Sequence, residues 1–451
     1  MNDQVTSDDL ETFDLTVRRL RAMPLGHPLR MRGEEIAASF ARESRNKRRK
    51  AFRNARSEAD AALAAGTATG ALDRREDAPL EAAADSGAGR GRGAVRYYAR
   101  ARHCYVCKAL YRQVDSFYHR LCPPCAADNT ARRALSTDLS GRRVLLTGGR
   151  VKIGFQLALM MLRDGAELLV TSRFPDDTLR RFRAAPGSER WLDRITVVAV
   201  DLRDPRQVLG LCEQLRSEGR PLDILVNNAA QTIRRPPQSY ALLAAGESGV
   251  PAPGVLTAPG FAPMAAIEGT GGALALVLED ADEAGLLPDL SPGNSWSARL
   301  GSLDPAELLE TQLVNALAPT LLADRLLPLL LASPRPRRYI VNVTAVEGRF
   351  AVRNKTSGHP HTNMAKAALN MLTRTSAQQL AAEGVHMCSV DTGWITDENP
   401  APRKARIVAA GGRTPLDVVD GAARIYDPIV RGEAGEPLAG VFLKDYREAA
   451  W

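Results

Sequence analysis

Short apolar runs alternate with segments of helical periodicity over residues 139–451. The alternation is typical of a parallel sheet that is covered by helices on both faces. We therefore predict an α/β fold with a doubly wound parallel sheet for this part of the chain. The strand-like runs are "RRVLLTGG", "AELLVTSR", "ITVVAVDL", "LDILVNNAA", "RYIVNVTA" and "VHMCSVDTG".

The alternation is interrupted at about residues 232–305. This stretch is rich in Pro, Gly and Ala and includes "GESGVPAPGVLTAPGFAPM". Connections of this length inside a domain are usually binding loops, lids or disordered segments. We predict an insertion that forms a lid, an interaction loop or a partly disordered segment.

The N-terminal third has a different composition. Residues 1–58 show apolar positions at helical spacing, followed by the basic run "RNKRRKAFRNAR", and we predict a basic, partly helical region. Residues 59–95 contain mostly Ala, Gly and Asp and no aromatic residue, which predicts a flexible linker. Aromatic residues and cysteines return together in residues 96–130, where we predict a small compact module.

Charge narrows the classes of partner. The net charge is +8, and residues 1–138 hold 25 Lys and Arg against 18 Asp and Glu, so any contact with a polyanion should lie in this third of the chain. An acidic N-terminus and the absence of an unbroken apolar run of about 18 residues favour a cytoplasmic protein without a membrane partner.

Four of the six cysteines form two short pairs, C-x-x-C, that are separated by 14 residues. Two such knuckles can close a tetrahedral site with four thiolate ligands for zinc. Aromatic side chains in the same segment would form a miniature core around the metal, because so small a unit has little else to bury. We predict a structural zinc site at Cys104, Cys107, Cys122 and Cys125.

The run "VLLTGGRVKIG" places glycines between a strand and a helix, where backbone N–H groups and the positive end of the helix can bind a pyrophosphate. Together with "VVAVDL" and "LVNNAA", in this order, it resembles the first half of the short-chain dehydrogenase/reductase family. The second half is similar too, in its helix asparagine, "RYIVNVTAVEG", "MAKAALNMLT" and "VDTGWITDE". The resemblance implies a Rossmann-type fold and cofactor-binding roles for Thr147, Gly148, Arg150, Lys152, Ile153, Gly154, Arg173, Asp201, Leu202, Asn228, Ala229, Lys366, Gly393 and Thr396.

Departures from the family pattern bear on the cofactor. The position of the second family glycine is Lys152, so the phosphate loop must bend differently or use the lysine as a phosphate ligand. Arg173 follows the second strand, where an acidic residue would bind the adenosine 2′-hydroxyl and an arginine suits a 2′-phosphate. With Arg150 nearby, NADP(H) is favoured over NAD(H), although Arg173 could also be a solvated charge at a strand end.

The family's reacting centre is altered as well. The resemblance assigns the catalytic lysine to Lys366 and the helix asparagine to Asn315, but the serine position is Ala345, with Thr344 beside it, and the tyrosine position is Thr362. An aliphatic hydroxyl is a poorer proton donor than a phenol, whose pKa is about 10.

Three interpretations of this centre stay open. Catalysis is lost while the cofactor still binds, or a histidine such as His361 or His359 supplies the proton, or the insertion or the cysteine module delivers a tyrosine such as Tyr240.

Basic residues concentrate beside the expected substrate mouth, which indicates either an anionic substrate or a solvated loop. They are Arg349, Arg353, Lys355, His359 and His361.

The sequence thus leaves three functions in view. The first is a divergent oxidoreductase that uses NADP(H) and a rearranged proton donor on an unidentified small molecule. The second is a catalytically inactive protein, a pseudoenzyme, that senses NADP(H) or acts as a scaffold. The third is a nucleic-acid-associated protein that uses the basic N-terminus and the zinc module. A homo-oligomer is an expectation from the resemblance only.

Overall fold

A nine-stranded sheet forms the centre of the protein, in a computed structural model that describes residues 4–75, 77–80, 95–247, 249, 252–264, 281–352 and 355–451. Its strands are β3 (Arg143–Leu146), β4 (Glu167–Ser172), β5 (Ile195–Ala199), β6 (Ile224–Asn227), β7 (Val255–Thr257), β8 (Arg338–Thr344), β9 (Val385–Asp391), β10 (Phe442–Lys444) and β11 (Arg447–Ala449). They lie in the order β11-β10-β9-β8-β6-β3-β4-β5-β7, and every neighbouring pair is parallel except β10 and β11. The predicted doubly wound parallel sheet is confirmed.

Helices cover both faces of this sheet. Successive residues of a strand point to opposite faces, so Val144 and Leu146 join one apolar layer while Leu145 joins the other. Because both faces are buried, the strands read as continuous apolar runs rather than as alternating ones. The helices of this domain are α4 (Lys152–Arg163), α5 (Pro175–Ala184), α6 (Pro205–Glu218), α7 (Ala241–Ala245), α8 (Pro305–Gln312), α9 (Ala318–Leu331), α10 (Pro360–Ala382), α11 (Ala401–Ala409) and α12 (Val418–Glu433).

The insertion contributes ordered structure to the domain. Its strand β7 extends the sheet beyond β5, with Val255 in register with Val197. A later part, residues 289–302, lies against the turns at the carboxyl edge of the sheet, where the Asn294 amide donates to the carbonyl of Glu398 over 2.9 Å. Residues 265–280 lie outside the described part, so the predicted disorder is not tested there.

The N-terminal region consists of two helices, α1 (Ser7–Ala22) and α2 (Pro28–Ala65). Helix α2 continues past residue 59, where the linker was predicted to begin, because its Asp60 accepts hydrogen bonds from the backbone of the next segment, Ala99 and Arg100. Residues 81–94, the remainder of the predicted linker, lie outside the described residues.

The cysteine module is an antiparallel hairpin, β1 (Tyr97–His103) and β2 (Leu110–Gln113), followed by helix α3 (Pro123–Arg132). Its aromatic core is shared with the large domain, because Tyr118 and Phe117 cluster with Leu416 and Val418. The Tyr118 hydroxyl donates to the Asp420 carboxylate over 2.6 Å. The module is therefore packed against the sheet domain rather than separate from it.

Helices α8 and α9 continue through a π-helical turn, Leu313–Leu317. The joined helix, Pro305–Leu331, is long and apolar enough to cross a membrane by length and composition. However, 56% of its most apolar window is buried inside the protein, as expected for a helix that covers a sheet. This observation is weak evidence for a membrane span.

Candidate functional site

The glycine-rich loop between β3 and α4 approaches the next strands closely. Gly148 has φ +72°, and a Cβ there would lie 2.9 Å from the Cα of Ala229. A Cβ on Gly154 would lie 2.1 Å from the carbonyl oxygen of Gly148. The Asn228 amide donates to the carbonyls of Thr147 and Gly148, both over 3.0 Å, and this ties the loop to the end of β6. Five of the predicted cofactor residues thus meet at the N-terminus of α4.

Lys152 occupies the first position of α4 with φ +54°, a left-handed conformation that costs a non-glycine residue about 1–2 kcal/mol. A lysine therefore holds the backbone conformation that glycine adopts without strain. Burial would raise the pKa of the half-buried Glu398, but the ammonium of Lys152 and the hydroxyl of Thr396 help to lower it. Ile153, the next residue, packs partly buried against the cysteine module.

Arg150 is engaged in a protein contact. Its guanidinium donates to Asp177 over 2.6 Å and to the carbonyl of Ala284, in the insertion, over 2.8 Å. Asp177 also pairs with Arg181. These contacts give Arg150 a structural role that sequence reasoning did not anticipate, and they make Arg173 the better candidate for a 2′-phosphate.

Arg173 lines a cleft of about 630 Å³ between the carboxyl edge of the sheet and the insertion. Its guanidinium lies 5.4 Å from the ring centre of Tyr240 and 5.7 Å from that of Phe174, and the two rings stack at 5.9 Å. Arg173 forms no ion pair with another described residue, although its charge helps to lower the pKa of Asp201. Tyr240 thus lies beside Arg173, at the adenosine end expected for the cofactor, and not at the reacting centre for which it was considered.

Two further predicted cofactor residues, Asp201 and Leu202, follow strand β5. Asp201 pairs with Arg203 over 2.6 Å, and Leu202 is buried in the apolar layer beneath.

Asn315 lies in the π-helical turn and is 1% exposed, with its amide bonded to both backbone groups of Gln231 over 2.7 and 2.9 Å. Single π-helical turns inside α-helices occur frequently at functional sites. Asn315 therefore fixes the loop after β6 to the long helix.

Lys366 is buried in helix α10. Its ammonium donates to the carbonyl of Val343 over 2.8 Å. Burial lowers the pKa of Lys366 to about 8, and the nearby Glu347 opposes this decrease. The Thr344 hydroxyl points to the same helix, with the carbonyl of Lys366 at 3.4 Å. The structure thus brings Lys366 and Thr344 together, but Thr344 is turned to a backbone carbonyl.

The tyrosine position is closed. Thr362 is 5% exposed and His361 is fully buried. The Thr362 hydroxyl and both ring nitrogens of His361 have no hydrogen-bond partner among the described residues. Buried polar groups are normally bonded, so such a cluster is unusual.

A carboxylate lies beside this cluster. His361 Nε2 lies 3.4 Å from Oε1 of Glu307, on helix α8. Burial alone would raise the pKa of Glu307, but His361 and the Ser295 hydroxyl together lower it. Glu307 also lines the cleft, so it connects the buried histidine with a solvent-accessible space.

The basic residues near the expected substrate mouth contact other parts of the protein. His359 has φ +41° and stacks on Trp296 of the insertion at 3.8 Å. Arg349 donates to the carbonyl of Ala450 and packs over Phe442. The ammonium of Lys355 donates to a backbone carbonyl, and Arg353 lies outside the described residues. Burial lowers the pKa of His359, and the charges of His361 and Lys355 lower it further, so these three basic residues lie near one another. The anionic substrate stays a prediction.

The turn after β9 contacts the cysteine module. Gly393 has φ +85°, and the next amide, that of Trp394, donates to the Tyr105 hydroxyl over 2.8 Å. The Thr396 hydroxyl donates to Glu398 over 2.7 Å. A module predicted as a separate unit thus touches one edge of the candidate cofactor crevice.

The four paired cysteines form one cluster. Their sulfur atoms all lie within 4.8 Å of one another, and those of Cys107 and Cys122 are 3.6 Å apart. In a tetrahedral site with Zn–S bonds of about 2.3 Å the sulfurs would lie about 3.8 Å apart. The amide of Cys122 also donates to the sulfur of Cys104 over 3.4 Å. The donor set fits zinc in number, type and spacing.

Sequence reasoning missed Glu307, Glu347 and Tyr105. The two carboxylates are distant in sequence from the groups that they face, His361 and Lys366, and no motif marks them. Tyr105 lies between Cys104 and Cys107. The spacing of the cysteines predicts the metal ligands but not the contact of Tyr105 with Trp394.

The glycine loop, the strand order and the polar residues at the carboxyl edge define a dinucleotide-binding protein of the Rossmann type. A family profile described as "short chain dehydrogenase" matches residues 142–243, and one described as "Enoyl-(Acyl carrier protein) reductase" matches residues 290–413. The chain belongs to the short-chain dehydrogenase/reductase family of oxidoreductases, as its motifs indicated.

The similar proteins differ in how much of the chain they cover. An uncharacterized protein of Acanthamoeba polyphaga mimivirus is 28% identical over 73% of this chain and 71% of its own length. The C-signal protein of Myxococcus xanthus is 30% identical over 28% of this chain and 74% of its own length. A solved short-chain dehydrogenase of Burkholderia cenocepacia in complex with NADP is 21% identical, with a TM-score of 0.46 over 68% of this chain and 97% of that one.

Proposed function

We propose that the protein is an NADP(H)-dependent oxidoreductase that acts on a small carbonyl or alcohol substrate with a rearranged proton donor. The observation that supports the cofactor most directly is Arg173, which follows β4, lines the cleft and forms no ion pair with another described residue. An arginine at this position suits the 2′-phosphate that distinguishes NADP from NAD.

The glycine loop and Lys366 support the same proposal. The close approaches at Gly148 and Gly154 leave backbone N–H groups of the loop and of α4 for a pyrophosphate. Lys366 would hold the nicotinamide ribose, as the family resemblance implies. When bound, the nicotinamide exchanges a hydride with the substrate carbon.

We assign the matching proton to His361. An imidazole exchanges protons near neutral pH, which Thr362 at the family's tyrosine position does not. Glu307 would orient the ring and stabilise its charged form, in the way that a carboxylate supports a catalytic histidine. Since Glu307 lines the cleft, it would also connect His361 with the proton pool of the solvent.

An inactive, NADP(H)-sensing protein is the second candidate. It is favoured by the burial of Thr362 and His361, because a closed centre leaves little room for a substrate oxygen. In that case Lys366 and Asn315 keep only their roles in cofactor binding and in the fold.

Titration of the purified protein with NADPH and NADH, followed by nucleotide fluorescence, tests the cofactor. We expect NADPH to bind more tightly, and Arg173→Ala to weaken NADPH about tenfold or more, the effect of losing one hydrogen bond to a charged group, with NADH unchanged. Arg206→Ala removes an exposed arginine outside the cleft and serves as the control. Failure of both nucleotides to bind would refute both candidate functions.

A screen of carbonyl compounds with NADPH separates the two candidates. His386, near the start of β9, is the control histidine. Turnover that is lost in His361→Ala and kept in His386→Ala would support the oxidoreductase. NADPH binding without turnover of any tested carbonyl would favour the sensor.

We also propose that the four clustered cysteines bind a structural zinc ion. Metal analysis of the purified protein should give about one zinc per chain, and Cys107→Ser should lower that content. Cys212→Ser, a buried cysteine outside the cluster, is the control and should leave the zinc content unchanged.

A further inference from the structure

The cysteine module contacts the turn after β9 and shares an apolar cluster with the first turn of α4, and both segments border the candidate dinucleotide crevice. Ile395, in the turn after β9, belongs to the apolar cluster that the module shares with the sheet domain, and Ile153, in the first turn of α4, packs against the same cluster. Ile395 is 3% exposed, so the contact is well buried. Neither segment can shift substantially without disturbing the module.

One polar contact joins the first cysteine knuckle to the turn after β9. The Tyr105 hydroxyl accepts a hydrogen bond from the amide of Trp394 over 2.8 Å. A Cβ on the adjacent Gly393 would lie 3.5 Å from the same hydroxyl, so the tyrosine lies directly against the turn. The guanidinium of Arg120, on the segment before the second knuckle, covers the indole ring of Trp394 at 5.6 Å.

The position of Tyr105 depends on the cysteines. It lies between Cys104 and Cys107, and its amide donates to the carbonyl of Arg120 over 2.8 Å. A metal held by both knuckles would fix this short segment at both ends, because two residues separate its ligands. Without the metal, four thiols would leave the segment freer to move, and the Tyr105 hydroxyl with it.

We propose that Tyr105 is a positioning residue of the dinucleotide site and that, through its bond to Trp394, metal binding at the four cysteines strengthens nucleotide binding. The proposal rests on the proposed function, since it takes NADPH and zinc as the two ligands. Coupling between two sites is reciprocal, so NADPH must strengthen zinc binding by the same factor.

The full-length protein is titrated with NADPH in its zinc-loaded form and after removal of zinc by a chelator. We expect zinc removal to weaken NADPH at least about fivefold, the lower end of typical coupling between sites. Saturating NADPH should strengthen zinc binding, measured by competition with a chromogenic chelator, by the same factor. Circular dichroism checks that the zinc-free protein keeps its sheet and helices.

Tyr105→Phe removes only the hydroxyl and keeps the ring. Zinc-loaded Tyr105→Phe should bind NADPH as weakly as the zinc-free wild type, and NADPH should no longer strengthen its zinc binding. Tyr111→Phe is the matched control, because its hydroxyl donates to the carbonyl of His119 inside the module, where Tyr98 supplies a second donor. This control should keep the coupling.

The outcomes separate this inference from the proposed function. NADPH binding that is equal with and without zinc, or that is unchanged in Tyr105→Phe, would overturn the inference and leave the proposed cofactor intact. If the zinc-free protein loses its fold, the zinc-loaded Tyr105→Phe protein still decides the matter. No binding of NADPH to the zinc-loaded wild type would refute the proposed function and the inference together.

Discussion

The buried ammonium of Lys366 should make the stability of the protein depend on pH in a predictable way. Lys366 is 6% exposed, and burial lowers its pKa from 10.5 to about 8. Each pKa unit corresponds to 1.36 kcal/mol, so the charged side chain costs the folded state about 3 kcal/mol at neutral pH. The unfolded chain binds this proton more tightly, and stability therefore rises with pH between about 8 and 10.5.

Lys366→Met removes the charge and keeps most of the side-chain volume. At pH 7 the variant should gain up to about 3 kcal/mol from the lost charge. It should lose about 1–3 kcal/mol because the carbonyl of Val343 is left unpaired, so the net change is small. As the pH rises to 10.5, the wild type should gain up to about 3 kcal/mol relative to the variant.

Urea unfolding of both proteins at pH 7, 8, 9 and 10.5 measures this difference, because the other titrating groups are common to both. Lys50→Met, on the exposed surface of α2, controls for the loss of any lysine. A difference between wild type and Lys366→Met that stays constant from pH 7 to 10.5 would refute the reasoning, since it would mean that the ammonium is not desolvated.

Three further predictions concern residues of the candidate functional site. Lys152→Gly should raise the free energy of unfolding by at most about 1 kcal/mol, because glycine relieves the left-handed strain but loses more backbone entropy; a urea midpoint below that of the wild type would contradict this. Glu307→Gln should shift the NMR signals of the His361 ring nitrogens, because the carboxylate 3.4 Å from Nε2 is lost, and unchanged signals would exclude the contact. Asn315→Ala should destabilise the protein by about 2 kcal/mol, because two backbone groups of Gln231 lose their partner; thermal unfolding measures this, and an unchanged midpoint would show that the loop does not depend on the amide.

The fold was largely predictable from local pattern. Apolar runs with turn residues between them predict six of the nine strands, but they do not predict β7, β10 and β11 or the order of the strands in the sheet. The four cysteines were equally predictable, because two short pairs at this spacing bring their own ligands together. The linker and insertion were harder to predict, since their order depends on contacts such as those of Asp60 and Asn294 with distant backbone groups.

The sequence by itself determined the family, the glycine loop and the cysteine cluster, and it carries the prediction that Thr362 stands at the family's tyrosine position. Each of these depends on residue types at short spacings, which the covalent chain fixes directly. Only the tertiary structure placed Glu307 beside His361 and Tyr105 against Trp394. These pairs join residues 54 and 289 positions apart, and such contacts form only when helix packing and module docking bring separate segments together.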